Sequence, residues 1–271
     1  MTRDDFFAAL WKDYVAMAPQ AEQIRRAFEE RGEQVVNDHV AFRTLGVSSI
    51  GIPKLEPHIL ALGYKPLANY EFPAKKLRAI GYVCDRDPMA PRIFLSELLL
   101  DQLTAQSATI LRECAAWIDS GDLTEPDVLW SGRLWEPISW HDYQTLLAES
   151  EYAAWVATLG LRPNHFTISI NHLKQFTEVE QVLQVVESLG YAINDSGGRV
   201  KGSPAELLEQ GSTLADKMEV DFADDQQHLV PTCYYEFAKR YPDANGKLFQ
   251  GFVAASADKI FESTDTKEGK G

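Results

Sequence analysis

Residues 39–64, HVAFRTLGVSSIGIPKLEPHILALGY, and residues 165–191, HFTISINHLKQFTEVEQVLQVVESLGY, read as one pattern written twice. In each, a histidine leads a strand-like stretch, a helical stretch follows, and an LGY triplet ends it. Gly63 lies 24 residues after His39, and Gly190 lies 25 residues after His165. Self-similarity at this scale points to a duplicated module. Beyond each triplet come strand-like runs, LRAIGYVC (77–84) and RIFLSELLL (92–100) in the first half, LADKMEVDF (214–222) and TCYYEFAKR (232–240) in the second. Each half holds a glutamate in an apolar run, Glu97 and Glu236. The His-to-Glu separations are 97 − 39 = 58 and 236 − 165 = 71, so the second half is expected to carry an insertion, assigned to the glycine-rich NDSGGRVKGSP (194–204).

Working outward, MTRDDFFAALWKDYVAM and AEQIRRAFEERG repeat apolar residues every three to four positions and predict two packing helices before the first module. A helical stretch is expected from about Asp101 to Ile118. Between Ser120 and Gly160 the periodicity fails, but Trp130, Trp135 and Trp140 argue for a packed connector rather than a floppy one. The division is 1–119 for the first module with its helices, 120–160 for the connector, 161–262 for the second module and 263–271 for a flexible tail. The class is α+β, two related modules with flanking helices.

Composition narrows the function. The 271 residues hold 40 acidic and 26 basic side chains, a formal charge of −14. Non-specific nucleic-acid binding takes its affinity from phosphate neutralisation, so that class is excluded, and any arginine near a polar cluster becomes informative. There is no signal-peptide pattern and no apolar run of about 18 residues, which predicts a cytoplasmic protein with no membrane partner, as monomer or homodimer. Cys84, Cys114 and Cys233 are odd in number and sit in apolar surroundings, as buried reduced thiols do.

A glutamate inside an apolar strand is costly unless paired, protonated or bound to a cation. With a histidine heading a strand in each half, two imidazoles and one carboxylate would suit a transition metal and leave coordination positions open. The alternative is that His39 and His165 are hydrogen-bonded core residues and the glutamates partly exposed.

Five segments in order, NDHVAFRTL (37–45), NHFTISIN (164–171), EQGSTLADKMEVDF (209–222), YYEFAKRY (234–241) and GFVAASADKIFEST (251–264), make the chain resemble the 2-oxoadipate dioxygenase/decarboxylases. The resemblance implies a vicinal oxygen chelate (glyoxalase/dioxygenase)-like fold, in which the two modules form one cupped mixed β-sheet around a metal. It implies Fe(II), with Zn, Ni or Mn as substitutes, held by His39, His165 and Glu236. It also implies conversion of 2-oxoadipate and O2 to 2-hydroxyglutarate and CO2, a step of lysine catabolism. By the same matching, Arg43 holds the far carboxylate of the substrate and Ser256 lies near it; residues 39, 41 and 43 share a strand face, so His39 and Arg43 can line one cavity. Gln210, Ser212 and Thr213 are candidate supporting donors. Arg199 and Lys201 sit on a loop that is either solvated or able to close on an anion. Glu97 is a possible further ligand, while His58, His141, His172 and His228 read as structural or exposed. The enzymes of that activity to which the resemblance points are much longer, so the reaction class is the firmer implication. Two rivals are a glyoxalase-like lyase or isomerase that also uses Glu97, and a non-catalytic carboxylate-binding module.

Overall fold

The computed structural model describes residues 1–118, 123–223 and 225–264. Two helices open the chain, α1 (Arg3–Met17) and α2 (Pro19–Glu30). The Thr2 hydroxyl accepts the Asp5 amide at 3.2 Å and the Asp5 carboxylate reaches back, a capping box that starts α1. Its buried Phe6, Leu10 and Tyr14 recur at helical spacing.

The first module is β1 (Asn37–Leu45), α3 (Ile52–Ala61), β2 (Lys65–Phe72), β3 (Leu77–Val83) and β4 (Arg92–Leu98). Then come α4 (Ala105–Ala116), α5 (Trp140–Glu149) and α6 (Glu151–Leu159). The second module is β5 (Pro163–Ser169), α7 (Val179–Ser188), β6 (Lys201–Ser203), β7 (Leu208–Ser212), the hairpin β8 (Lys217–Asp221) and β9 (Gln227–Pro231), and β10 (Tyr234–Arg240). Helix α8 (Ala254–Ile260) and a 3₁₀ turn over Phe261–Thr264 follow.

Eight strands form one sheet in the order β2-β3-β4-β1-β5-β10-β7-β6. At its centre β1 and β5 run antiparallel, with Val40 opposite Phe166; β4 lies parallel to β1, and β10 parallel to β5. A two-fold relation through the Val40–Phe166 pair therefore carries His39 onto His165, and β4 onto β10. This is a vicinal oxygen chelate fold, one βαβββ unit per half, curled into a half-barrel.

Alternation gives the sheet two different faces. Val40, Phe42, Phe166, Ile168, Tyr235 and Phe237 are buried apolar residues; on that face Tyr14 meets Phe166 and Tyr235 with ring centroids 5.0 and 6.3 Å apart. His39, Arg43, His165 and Glu236 occupy the opposite, concave face. They are 0–5 % exposed although polar.

Three expectations change. The extra chain in the second module is the β8-β9 hairpin between β7 and β10, whereas Lys201–Ser203 of the glycine-rich stretch is strand β6, which the first module matches with β2. The stretch between the modules contains α5 and α6, each started by a serine, Ser139 and Ser150, whose hydroxyl accepts a backbone amide. Periodicity failed there because α6 is buried all round, from Tyr152 to Leu159. Finally, Ser263 and Thr264 are buried in the 3₁₀ turn; the rest of the expected tail, like residues 119–122, lies outside the described residues.

Candidate metal centre

Strand register brings the triad together. His165 stands opposite Ala41 on β1 and Tyr234 on β10, while Thr167 stands opposite His39 and Glu236. Residues 165 and 167 share a face, so His39, His165 and Glu236 converge. His39 Nε2 lies 3.4 Å from Glu236 Oε1, and His165 Nε2 lies 3.2 Å from Glu236 Oε2. One ligand atom from each residue falls within 4.8 Å of the other two.

Neighbouring side chains fix the orientation of both imidazoles. His39 Nδ1 lies 2.8 Å from Asp38 Oδ1, and His165 Nδ1 lies 3.1 Å from Asn164 Oδ1. An acceptor behind Nδ1 keeps the proton there and leaves the Nε2 lone pair facing the other ligands. Burial alone would raise the Asp38 carboxyl, but Arg240, the His39 N–H and Arg92 outweigh it and hold Asp38 well below the usual carboxylate range. Burial, helped by His39 and Arg43, keeps His165 well below its ordinary value and so neutral. Burial raises Glu236 against the opposing pull of His39 and Gln210. The amide of Gln210 donates to Glu236 Oε1 at 2.6 Å, while Oε2 is buried and accepts no hydrogen bond among the described residues. An orphaned carboxylate oxygen beside two imidazole lone pairs fits a divalent transition metal.

The triad opens on a small cavity of about 20 Å³ lined by Ala41, Phe94, Tyr234, Phe252, Ile260 and Phe261. Phe252 comes edge-on to His39, 5.0 Å between centroids, on a segment pinned by Arg240, whose guanidinium donates to the carbonyls of Phe249 and Gly251 at 3.1 and 2.6 Å. Gly81 makes room for it, since a Cβ there would stand 3.3 Å from the Phe252 ring.

The family model of the 2-oxoadipate dioxygenase/decarboxylases matches residues 7–126 and 127–247. The chain belongs to this family. The rice 2-oxoadipate dioxygenase/decarboxylase, named chloroplastic/amyloplastic, is 36% identical over 98% of this chain and 80% of its own. A solved structure of rice hydroxyglutarate synthase in complex with 2-oxoadipate superposes with a TM-score of 0.89 at 34% identity, covering 97% of this chain and 93% of that one. A Shewanella frigidimarina protein described as a hydrolase matches with a TM-score of 0.88 at 44% identity, over 93% and 98% of the two chains. A Ralstonia eutropha glyoxalase superfamily protein shares the fold, with a TM-score of 0.73 at 22% identity over 92% of this chain and 85% of that one. The chain is an oxidoreductase of the 2-oxoadipate dioxygenase/decarboxylase family, and in length it stands close to the rice structure.

The other candidates of this family member divide. Arg43 is 1 % exposed on the triad's face of β1; Nη1 lies 2.6 Å from Glu151 Oε1, Nη2 lies 3.1 Å from Thr264 Oγ1, and the guanidinium packs over Tyr152, Trp155 and Phe261. Ser256 is buried on α8, its hydroxyl facing the position where Gly202 has no side chain. Of the three supporting candidates Gln210 touches the triad, whereas Ser212 pairs with Ser263 and Thr213 accepts the Tyr235 amide. Arg199 makes ion pairs with Glu180 and Glu187 at the surface; Lys201 is buried and donates to the Asn194 carbonyl.

Glu97 stands apart from the metal triad. Register makes Phe94, not Glu97, the counterpart of Glu236, because Arg92 pairs with His39 as Tyr234 pairs with His165. Glu97 accepts the Ile52 amide at 2.6 Å and pairs with Arg78. His58 and His172 make ordinary hydrogen bonds, to the Leu123 carbonyl and the Ser169 hydroxyl, and His228 stacks on Trp140. Asp38, Asn164 and Arg240 were missed. A signal existed: each ligand histidine follows an Asp or Asn.

Proposed function

We propose that this enzyme holds Fe(II) between His39, His165 and Glu236 and converts 2-oxoadipate and O2 to 2-hydroxyglutarate and CO2. The observation that carries the reading is the convergence of two oriented imidazoles and an orphaned carboxylate oxygen at the end of a cavity, in a chain that matches a relative solved with 2-oxoadipate over nearly its whole length. Bound iron would supply open coordination positions and redox chemistry for O2, with the 2-oxo acid as the source of electrons.

The chain's own residues do the rest. Asp38 and Asn164 keep both Nε2 lone pairs directed inward, and Gln210 holds Glu236. Phe94, Phe252, Ile260 and Phe261 give the cavity apolar walls against the three methylene groups of 2-oxoadipate. Arg43, on the same face as His39, supplies the cation for the distal carboxylate, and Ser256 is assigned to the substrate as a weaker contact. An arginine in a low-dielectric cup attracts a dicarboxylate despite a net charge of −14. Three buried free thiols support a reducing, cytoplasmic setting. A glyoxalase-like site with Glu97 as fourth ligand is not favoured, since that carboxylate is engaged by Arg78 and Ile52.

Anaerobic reconstitution with Fe(II) followed by oxygen-electrode measurements on C5 to C7 2-oxo diacids tests the proposal. Uptake with 2-oxoadipate, with 2-hydroxyglutarate and CO2 formed one to one, is expected. No uptake with any of these acids, or turnover under strict anoxia, overturns it.

A further inference from the structure

Two buried hydrogen-bond donors beside the cavity have no acceptor among the described residues. One is Nε of Arg43, whose two terminal nitrogens are taken by Glu151 and Thr264. The other is the hydroxyl of Tyr234, a side chain that is fully buried, lines the cavity and stacks on His165 with centroids 4.6 Å apart and planes at 25°. Leaving such groups without a partner is costly, and native interiors rarely do so without cause.

The sheet brings these donors to one place. Ala41, His165 and Tyr234 form a row across β1, β5 and β10. Arg43 lies two residues further along β1 on the same face, about 7 Å by strand rise. Ala41, which also lines the cavity, presents only a methyl group between them. Phe261 lines that cavity, and its ring centroid lies 5.7 Å from the Arg43 guanidinium, so one aromatic ring separates the cavity from the Arg43 side chain.

We infer that Tyr234 is a substrate-binding, specificity-determining residue: its hydroxyl and Nε of Arg43 together donate to the two oxygens of the carboxylate distal to the metal. The inference rests on the proposed function and deepens it. A carboxylate accepts two converging donors, one on each oxygen, with the added strength of a charged acceptor, whereas an alkyl chain end accepts none. The phenol is neutral, so it adds a hydrogen bond to that carboxylate without adding charge. The neutral side chain thereby helps to distinguish a 2-oxo diacid from a 2-oxo monoacid.

Tyr234→Phe removes one oxygen and keeps the ring on His165. The test uses Zn(II)-loaded protein without O2, titrated calorimetrically with 2-oxoadipate and with 2-oxohexanoate, which has the same six carbons and no distal carboxylate. The variant should bind 2-oxoadipate about 10- to 100-fold more weakly, the range for one hydrogen bond to a charged group, with unchanged affinity for 2-oxohexanoate. Its ligand-free melting temperature should equal or exceed that of the wild type, because a partnerless hydroxyl has been removed. Equal 2-oxoadipate affinity in variant and wild type overturns this inference alone, as do equal losses for both acids or a lowered melting temperature. A wild-type protein that binds Zn(II) but no 2-oxo diacid overturns the functional reading and this inference together.

Discussion

Asp38 Oδ1 stands 2.8 Å from Nδ1 of His39, its own neighbour in the chain, and Arg240 clasps the same carboxylate, donating from Nε to Oδ2 and from Nη2 to Oδ1, each at 2.8 Å. All three side chains are buried. Arg240 also donates to the carbonyls of Phe249 and Gly251, so one guanidinium braces a metal ligand and anchors the segment that lays Phe252 over it. The shell behind the ligands thus has its own predicted consequences.

Replacing Asp38 by Ala should lower affinity for Zn(II) or Co(II) by about 10- to 100-fold, because the imidazole loses the acceptor that fixes its tautomer. Competition with a chromogenic chelator measures this. Unchanged affinity would show that His39 is oriented without the carboxylate.

The same carboxylate gives a pH dependence. Its folded-state pKa is depressed, so the stability it contributes is fully present above the unfolded value of about 3.9 and is lost as pH falls through the folded value. Denaturant titrations of the metal-free protein between pH 5 and pH 2 should therefore show a decline below about pH 4 that is shallower in Asp38→Asn. Parallel curves for the two proteins would refute the assignment.

Glu97→Gln separates structure from metal binding. The exchange weakens the contact with Arg78 and the Ile52 amide at the start of α3, and should cost about 1–3 kcal/mol of stability. Metal stoichiometry and affinity should stay at wild-type levels, since Glu97 lies outside the triad. Loss of the metal at intact stability would return Glu97 to the ligand set.

Arg43→Met should abolish measurable binding of 2-oxoadipate to the Zn(II)-loaded protein while metal affinity changes less than about threefold. The guanidinium is buried against Glu151, and breaking a buried pair costs about 3–5 kcal/mol, so Arg43→Met combined with Glu151→Gln serves as the better-folded variant. Calorimetry on both decides the matter; diacid binding retained in the double variant would remove Arg43 from the substrate site.

Much of the site was legible because a strand has a period of two. His39 and Arg43 had to share a face, and a histidine at the same place in each repeat had to meet its counterpart if the halves paired about a two-fold axis. Helix α6 was not legible, because a helix buried on every side has no periodic stripe. Strand β2 was not read either: Lys65–Phe72 is an edge strand with mostly exposed or half-buried residues, so little in its pattern marks it.

The sequence by itself determined the duplicated order of strand and helix, the pairing of a leading histidine in each half, and the residue types able to hold a metal. Only the tertiary structure decided which glutamate joins them. Counting along the chain equates Glu97 with Glu236, but the ladder equates Phe94 with Glu236, and an offset of three on a strand turns a side chain to the other face. Tertiary structure also decided that Arg240, from the far end of β10, would hold Asp38 behind His39 across 202 residues. No local pattern encodes a contact of that span; it exists because β1, β5 and β10 are neighbours in one sheet.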